Sequence, residues 1–488
     1  MKIFRRLAAV AGVLSLLGAY ANAQAAALAS GLEQLTRSYE SHNPRLPEQL
    51  RSHLTDVTGS PLVLVHLSGA DPEAALRGLI AAGFRLTTRS SINRALVEGY
   101  LPLAAVRAAA AVPGVKSLHA TARPAAHAGL VQSQAVALEH ADRAQARGLD
   151  GSGIRIGVLS DSYDECTTCS TDAAQDIATG DLPAAGVTVL QDELPSTIAA
   201  VGPATDEGRG MLQLVHDIAP GAQLGFASAF NGELSFAENI LALRSQFHAD
   251  VIVDDVGYSD EGMYSDGIVA QAVDIVSRAG AAYFSSAGNN GLEAYEAVYR
   301  PVSFADAQAL VAAGGANVHL EQIPADIRPQ TVHDFRGADG SVAITQRFSS
   351  DFAGNLNNVS FQWDEPFFLG LVKTNFIVYV FDKDGNWMDP SGSNFPGLYS
   401  TDNNLLTDEP AQLLQIGAFP SDIVGGANVS DFQFVIGNVN GGPAQHIKYV
   451  TINGLGVSER QNAPSTFGHP AARGALGVAA VYYAIPSF

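Results

Sequence analysis

The sequence predicts an α/β protein whose core is a parallel sheet with helices on both faces, preceded by a small βαββαβ module and interrupted by an inserted β-sandwich. Three observations lead there. From Gly151 onward, apolar strand-like runs alternate with segments of helical period, the order that favours a parallel sheet. From about residue 300 to 455 that period gives way to short runs of strict polar/apolar alternation. The last stretch, Ala471 to Tyr483, is small and apolar again, as expected if the chain returns to the core after an insertion.

Residues 1–23 combine a basic start (Lys2, Arg5, Arg6), an apolar run from Leu7 to Tyr20 and small residues at Ala21-Asn22-Ala23. This is the three-part pattern of a secretory signal peptide cut after Ala23. The run is shorter than the roughly 18 apolar residues a membrane span needs. A secreted or extracytoplasmic chain with no membrane partner is expected.

Residues 24–125 form the small module. Pro61 to Leu67 reads as a strand. Asp71 to Ala82 reads as a helix with Ala74, Ala75, Leu76, Leu79 and Ile80 on one side, stopped by Gly83. Phe84 to Thr88 and Ala95 to Tyr100 are strands, Leu103 to Ala111 is a second helix, and Val115 to Ala120 closes a ferredoxin-like order. The segment carries ten basic and seven acidic residues, whereas 126–488 carries 15 basic and 42 acidic. The two parts should attract. The chain as a whole has a net charge of −21, which argues against a nucleic-acid partner.

In 126–300, Ile154 to Ser160, Gln223 to Ala229, Asp250 to Val256 and Ala281 to Ser286 are strands. Glu207 to Asp217, Leu234 to Phe247 and Asp266 to Arg278 are helices. Ligands of such sheets bind beyond the carboxyl ends of the strands, where Asp161, Asp255 and Asn289 fall, with Glu207 opening a helix. In 301–455, Asn358 to Trp363 and Asp431 to Phe434 alternate strictly, and Phe376 to Phe381 and Ile447 to Ile452 are further strands. Residues 456–488 are assigned back to the core.

Several runs together now resemble a known family. Gly151 to Ser162, a glycine-flanked strand ending in Ser160-Asp161-Ser162, looks like the segment that delivers the triad aspartate of subtilisin-like serine peptidases. Ser286-Ala287-Gly288-Asn289-Asn290-Gly291 resembles the family's strand ending in the oxyanion-hole asparagine. Asp250 to Gly257 is similar to its strand lining the substrate cleft. The βαββαβ segment resembles its chaperoning propeptide. The resemblance implies a secreted serine endopeptidase acting on polypeptides. Asp161 would orient the base, Asn289 would bind the oxyanion, Asp255 and Gly257 would face substrate, and the chain's own propeptide would be a partner. A hydroxyl nucleophile needs these helpers: a base, an orienting group and a donor where oxyanion charge develops.

Two departures modify that expectation. The helix Asp206-Glu207-Gly208, running to Ala219-Pro220, resembles the one that opens with the family's catalytic histidine, but Glu207 holds that place. The related sedolisins use a glutamate base, with an aspartate four residues on; here that residue is Met211. Two nearby carboxylates should titrate as a coupled pair with one pKa raised. The family's Gly-Thr-Ser-x-x-x-Pro nucleophile motif does not occur. Ala475 to Val481 resembles the strand that precedes it in the family, so the resemblance reads as C-terminally incomplete, ending before the serine. An inactive peptidase is expected of these 488 residues, the alternative being a secreted, non-catalytic peptide-binding pseudoenzyme.

The remaining polar features read as structural. Cys166-Thr167-Thr168-Cys169 lies in a polar loop of an exported chain with no thioredoxin-like helix after it, favouring a loop disulfide over a dithiol. His216 stands about half a turn round the helix from Glu207. Asp254 and Asp255 point to opposite sides of a strand, Asp254 inward. No cofactor or resident metal is expected; Asp382-Lys383-Asp384-Gly385 reads as a hairpin turn offering at best a weak structural calcium site.

Overall fold

The computed structural model describes residues 26–481 apart from short internal stretches, the longest being 391–400 and 418–430. The expected signal segment, 1–23, lies outside the described residues.

The N-terminal module folds as a five-stranded sheet in the order Ala27–Leu28, Val115–Ala120, Leu62–Leu67, Leu96–Tyr100, Arg85–Arg89. Helices Ser30–Glu40, Pro72–Ala81 and Val106–Ala110 cover one face, burying Leu32, Leu35, Leu76, Leu79 and Val106 against Val63, Val65, Val97 and Leu118. The first strand and helix carry no signal strong enough to be expected. Asp71 starts Pro72–Ala81 by accepting from the Ala74 N–H at 2.9 Å, an N-cap followed by proline at the first helical position.

Alternate residues on the same strands point the other way. Leu64 and Leu96 join the buried cluster of Leu234, Phe236, Ile240, Val269 and Val273 in the central core. Period-two alternation therefore makes this sheet two-faced, with one face on its own helices and the other on helix Glu233–Ser245. Polar contacts pin the junction. The buried Glu98 carboxylate lies beside Gly232 at that helix's start and accepts from the Thr121 hydroxyl at 3.0 Å, and the Ser91 N–H donates to Glu238 at 2.6 Å.

The central sheet has six parallel strands in the order Ala475–Val478, Ala282–Ser286, Val251–Asp254, Arg155–Ser160, Gln223–Ser228, Thr188–Gln191. The final strand pairs in parallel with Ala282–Ser286. Helices Glu233–Ser245 and Ile268–Arg278 cover one face. On the other, helix Glu207–Ile218 packs Leu212 against Val158, Leu224 and Phe226. This is the α/β layering expected from the sequence. The expected strand Asp250 to Val256 breaks at Asp255: the chain leaves the sheet after Asp254, and Val256–Gly257 pairs antiparallel with Ala125–Ala126 instead.

The insertion is two antiparallel sheets. One runs Ala294–Val298, His446–Ile452, Leu356–Trp363, Ala411–Gly417. The other centres on Asp431–Asn438, which pairs with Phe376–Asp382, Thr331–His333 and Gln346–Ser350. Phe361, Trp363, Phe376, Val378, Phe432 and Phe434 meet between the sheets. Ile377, Tyr379 and Phe381, on the opposite side of their strand, pack under helix Phe304–Ala312. The Asp382 turn is a hairpin turn, its carboxylate accepting from the Asp384 and Asn386 N–H groups at 2.9 and 2.8 Å.

Candidate active site

Asp161 follows strand Arg155–Ser160 and is buried. Its carboxylate accepts from the Ser162 N–H (2.5 Å), the Thr205 N–H (2.9 Å) and hydroxyl (2.6 Å), and the Gly208 N–H (3.3 Å). It thus holds the entrance of helix Glu207–Ile218, where a helix N-terminus favours negative charge. Only glycine fits at 208, because a Cβ there would run into the Phe226 ring and the Ser162 carbonyl. That close approach brings Glu207 against the strand end.

Glu207 Oε2 accepts from the Ser160 hydroxyl at 3.1 Å. Its carboxyl is pushed up from 4.5 to about 7, first by burial and then by the charges of Asp255 and Asp161, with the Ser160 hydrogen bond opposing. Asp255 sits at the break between Val251–Asp254 and Val256–Gly257, with Oδ1 buried and accepting no hydrogen bond. The structure therefore brings Asp161, Glu207 and Asp255 together at the carboxyl ends of two adjacent strands, Arg155–Ser160 and Val251–Asp254. Such a cluster can hold and hand over a proton near neutral pH. Ser160 itself is fully buried, so its hydroxyl positions Glu207 and is closed to substrate.

Asn289 lies exposed in the loop after strand Ala282–Ser286. A cleft of about 70 Å³ opens beside it, lined by Gly257, Tyr258, Ser286, Gly288, Asn290 and Thr466 among others. Gly257 is thus in the cleft wall, while Asp161, Glu207, Asp255 and Asn289 are not. The Pro464-Ser465-Thr466 segment is tied to the same loop. The Ser465 hydroxyl donates to the Gly291 carbonyl at 2.6 Å and the Thr466 hydroxyl to the Ala287 carbonyl at 3.1 Å.

Cys166 and Cys169 are joined as a disulfide. Their loop is clamped by buried Asp206, which accepts from the Glu165 and Cys166 N–H groups at 2.9 and 3.0 Å and pairs with Arg209 at 3.1 Å. Among the described residues, the one group of three His, Cys, Asp or Glu residues close enough to share a metal is Cys166, Cys169 and Asp206. Both sulfurs there are committed to the disulfide.

Two further buried groups stand out. Glu193 is buried next to this site with neither carboxylate oxygen hydrogen-bonded, and burial followed by the charge of Asp161 raises its pKa to about 8. On the other side of the sheet, His469 is fully buried. Its Nδ1 lies 2.9 Å from the Glu261 carboxylate and its Nε2 3.1 Å from Asp254 Oδ1, while the Ser285 hydroxyl donates to the same Asp254 oxygen at 2.7 Å. Burial alone would lower the imidazole pKa, but Glu261 and Asp254 overcome it and raise it to about 10. The group is a fixed cation.

No family model and no curated protein matches this chain. Solved structures do. Fervidolysin from Fervidobacterium pennivorans, a keratinolytic enzyme related to subtilisin, aligns at 14% identity over 49% of this chain and 42% of its own, with a TM-score of 0.30. The epidermin leader peptide processing serine protease EpiP from Staphylococcus aureus aligns at 12% identity over 53% of this chain and 64% of its own, TM-score 0.31. The CspB protease of Clostridium perfringens aligns at 10% identity over 70% and 72%, TM-score 0.32. The chain thus spans less than two thirds of the length of the first two.

Proposed function

We propose that this chain is an exported relative of the subtilisin-like serine peptidases that binds extended polypeptide at the strand Val256–Gly257, with residues 24–125 acting as its own propeptide. The observation that carries the reading is the antiparallel pairing of Ala125–Ala126 with Val256–Gly257. An extended segment at the end of the N-terminal module already lies on the cleft strand, the main-chain mode by which sheet edges take up peptides. Glu207, with its raised carboxyl, takes the role of base or acid, Asp161 fixes the helix that presents it, and Asn289 supplies an oxyanion donor. With no Gly-Thr-Ser-x-x-x-Pro in the sequence, these 488 residues are expected to bind polypeptide without cleaving it.

The test displaces the internal strand. The double substitution Ala125→Pro, Ala126→Pro removes the one N–H of this dipeptide that can donate to the pairing, whichever residue carries it, since adjacent N–H groups on an antiparallel strand alternate in direction. Fluorescein-labelled casein is then titrated into the wild type and the variant from pH 4 to 8, following anisotropy and peptide release together. The expected result is saturable binding, tightened several-fold in the variant, with no peptides released. Absence of binding in both proteins contradicts the proposal. Release of peptides that Glu207→Gln abolishes would contradict the predicted inactivity and make the chain a working peptidase with another nucleophile.

A further inference from the structure

A second cavity, away from the candidate active site, lies where the N-terminal module, the central core and the β-sandwich meet. It measures about 160 Å³, the size of an apolar cavity that accommodates benzene. Leu64, Leu96 and His119 reach it from the module, Glu233, Asp260 and Asp266 from the core, and Phe367, Phe368 and Glu409 from the sandwich. Among the described residues, four carboxylates line it and no lysine or arginine does.

Glu233, the first residue of helix Glu233–Ser245, decides what the cavity is for. Its residue is 9% exposed, yet among the described residues its carboxylate accepts no hydrogen bond and makes no ion pair, only the backbone being bonded within the helix. An ionised carboxylate in that state costs several kcal/mol unless a counter-charge is supplied. The nearby basic groups already have partners: His119 Nδ1 lies 2.6 Å from Glu409 within the cavity wall, Lys116 pairs with Asp408 at 2.6 Å, and His469 pairs with Glu261. The neighbours that face Glu233 from each surrounding element are acidic: Glu98 from the module, Asp260 and Glu261 from the loop after Gly257, and Glu409 from the sandwich.

We infer that this cavity is a binding site for an organic cation, a primary alkylammonium or guanidinium group whose nitrogen meets Glu233 while its carbon stem lies along Leu64, Leu96 and the rings of Phe367 and Phe368. The aromatic pair, with centroids 5.8 Å apart, supplies faces that attract such a cation. A bare metal ion suits the site less, since no three of its carboxylates bring their oxygens within 4.8 Å of one another. Because burial and the surrounding carboxylates hold the Glu233 proton on well above the usual range, taking up a cation expels that proton. Binding therefore tightens as pH rises. The occupant would link three parts of the chain at once, and the site does not depend on the peptidase reading.

The test is calorimetric titration of the full chain with n-butylammonium and agmatine as free cations and with an acetylated, amidated Ala-Lys-Ala peptide as the peptide-borne form. n-Butanol and calcium chloride are the controls, at pH 6 and pH 8. Saturable binding of the cations, tighter at pH 8, with no response to butanol, is expected. Preference for the free amines or for the peptide identifies the source. Glu233→Gln should weaken binding about tenfold or more while the empty protein unfolds at a higher temperature, an opposite shift that a merely structural glutamate would not give. Asp266→Asn, farther from the buried carboxyl, should weaken it less and guards against misfolding of the first variant. Equal binding by Glu233→Gln, equal binding of butanol, or tighter binding of calcium than of either amine overturns the inference.

Discussion

Asp254 and Asp255 are neighbours in the chain, yet they serve two charge clusters of opposite character. Asp254 points into the core and, with Glu261, encloses His469, so two carboxylates share one imidazolium. Asp255 points the other way, toward Glu207 and Asp161, where among the described residues no cation contributes to the field at Glu207. In the first cluster the electrostatics fix a charge and the pKa of the cation rises. In the second, burial first and then like charge disfavour one, and the pKa of a carboxyl rises. The compensated cluster is built to stay put and the uncompensated one to exchange a proton. That contrast separates the structural from the chemical use of buried charge more clearly than burial does, since both lie at the ends of the same strands.

The largest effect should come from breaking the compensated cluster. His469→Ala leaves two buried carboxylates facing each other and is expected to cost about 3–5 kcal/mol, read from urea unfolding at pH 7. Ser285→Ala, which removes one hydrogen bond to Asp254, should cost about 1–2 kcal/mol. Glu207→Gln is expected to go the other way. It removes a partly exposed carboxyl that resists ionising, and after allowance for solvent screening it should stabilise the protein by about 1 kcal/mol at pH 7. Destabilisation by this variant would place Glu207 among the structural charges.

The pH profile sharpens the same comparison. Carboxyls raised in the folded state, Glu207 to about 7 and Glu98 and Glu193 to about 8, contribute stability present below pH 4.5 and lost as pH rises through those values. His469, raised to about 10, contributes stability present below 6.5 and lost toward pH 10. Burial lowers His53 and His66 to about 4 and His333 to about 3, so their contribution is present above 6.5 and lost as pH falls through those values. Between pH 4.5 and 6.5 the two sets oppose each other. A broad maximum there, with decline on both sides, is expected in thermal scans across pH. In His469→Ala the decline above pH 6.5 should be shallower.

Asp161 and Glu207 were legible because local features mark them: a glycine-flanked apolar strand, and a glycine after the helix opening that permits close packing. Strand alternation likewise separated Asp254 from Asp255. Glu261 and His469 were not legible as a pair, since 208 residues and an entire β-sandwich separate them, and no local period encodes such a meeting. Glu193 follows a short strand, Thr188–Gln191, too brief to announce itself. The three-part cavity depends on Glu233, Phe368 and Glu409 arriving from distant segments. The βαββαβ order could be read from its apolar periods, but the second use of Leu64 and Leu96, as part of the central core, needed the packed structure.

The central claim is that Glu207 keeps a carboxyl poised near neutrality because burial, and after it the charges of Asp255 and Asp161, disfavour its ionised form. The most direct test is ¹³C NMR titration of the Glu207 side-chain carboxyl in the full chain, alongside Asp255→Asn. The account predicts a midpoint near 7 in the wild type and a lower one in the variant. A wild-type midpoint near 4.5, unmoved by Asp255→Asn, would contradict it.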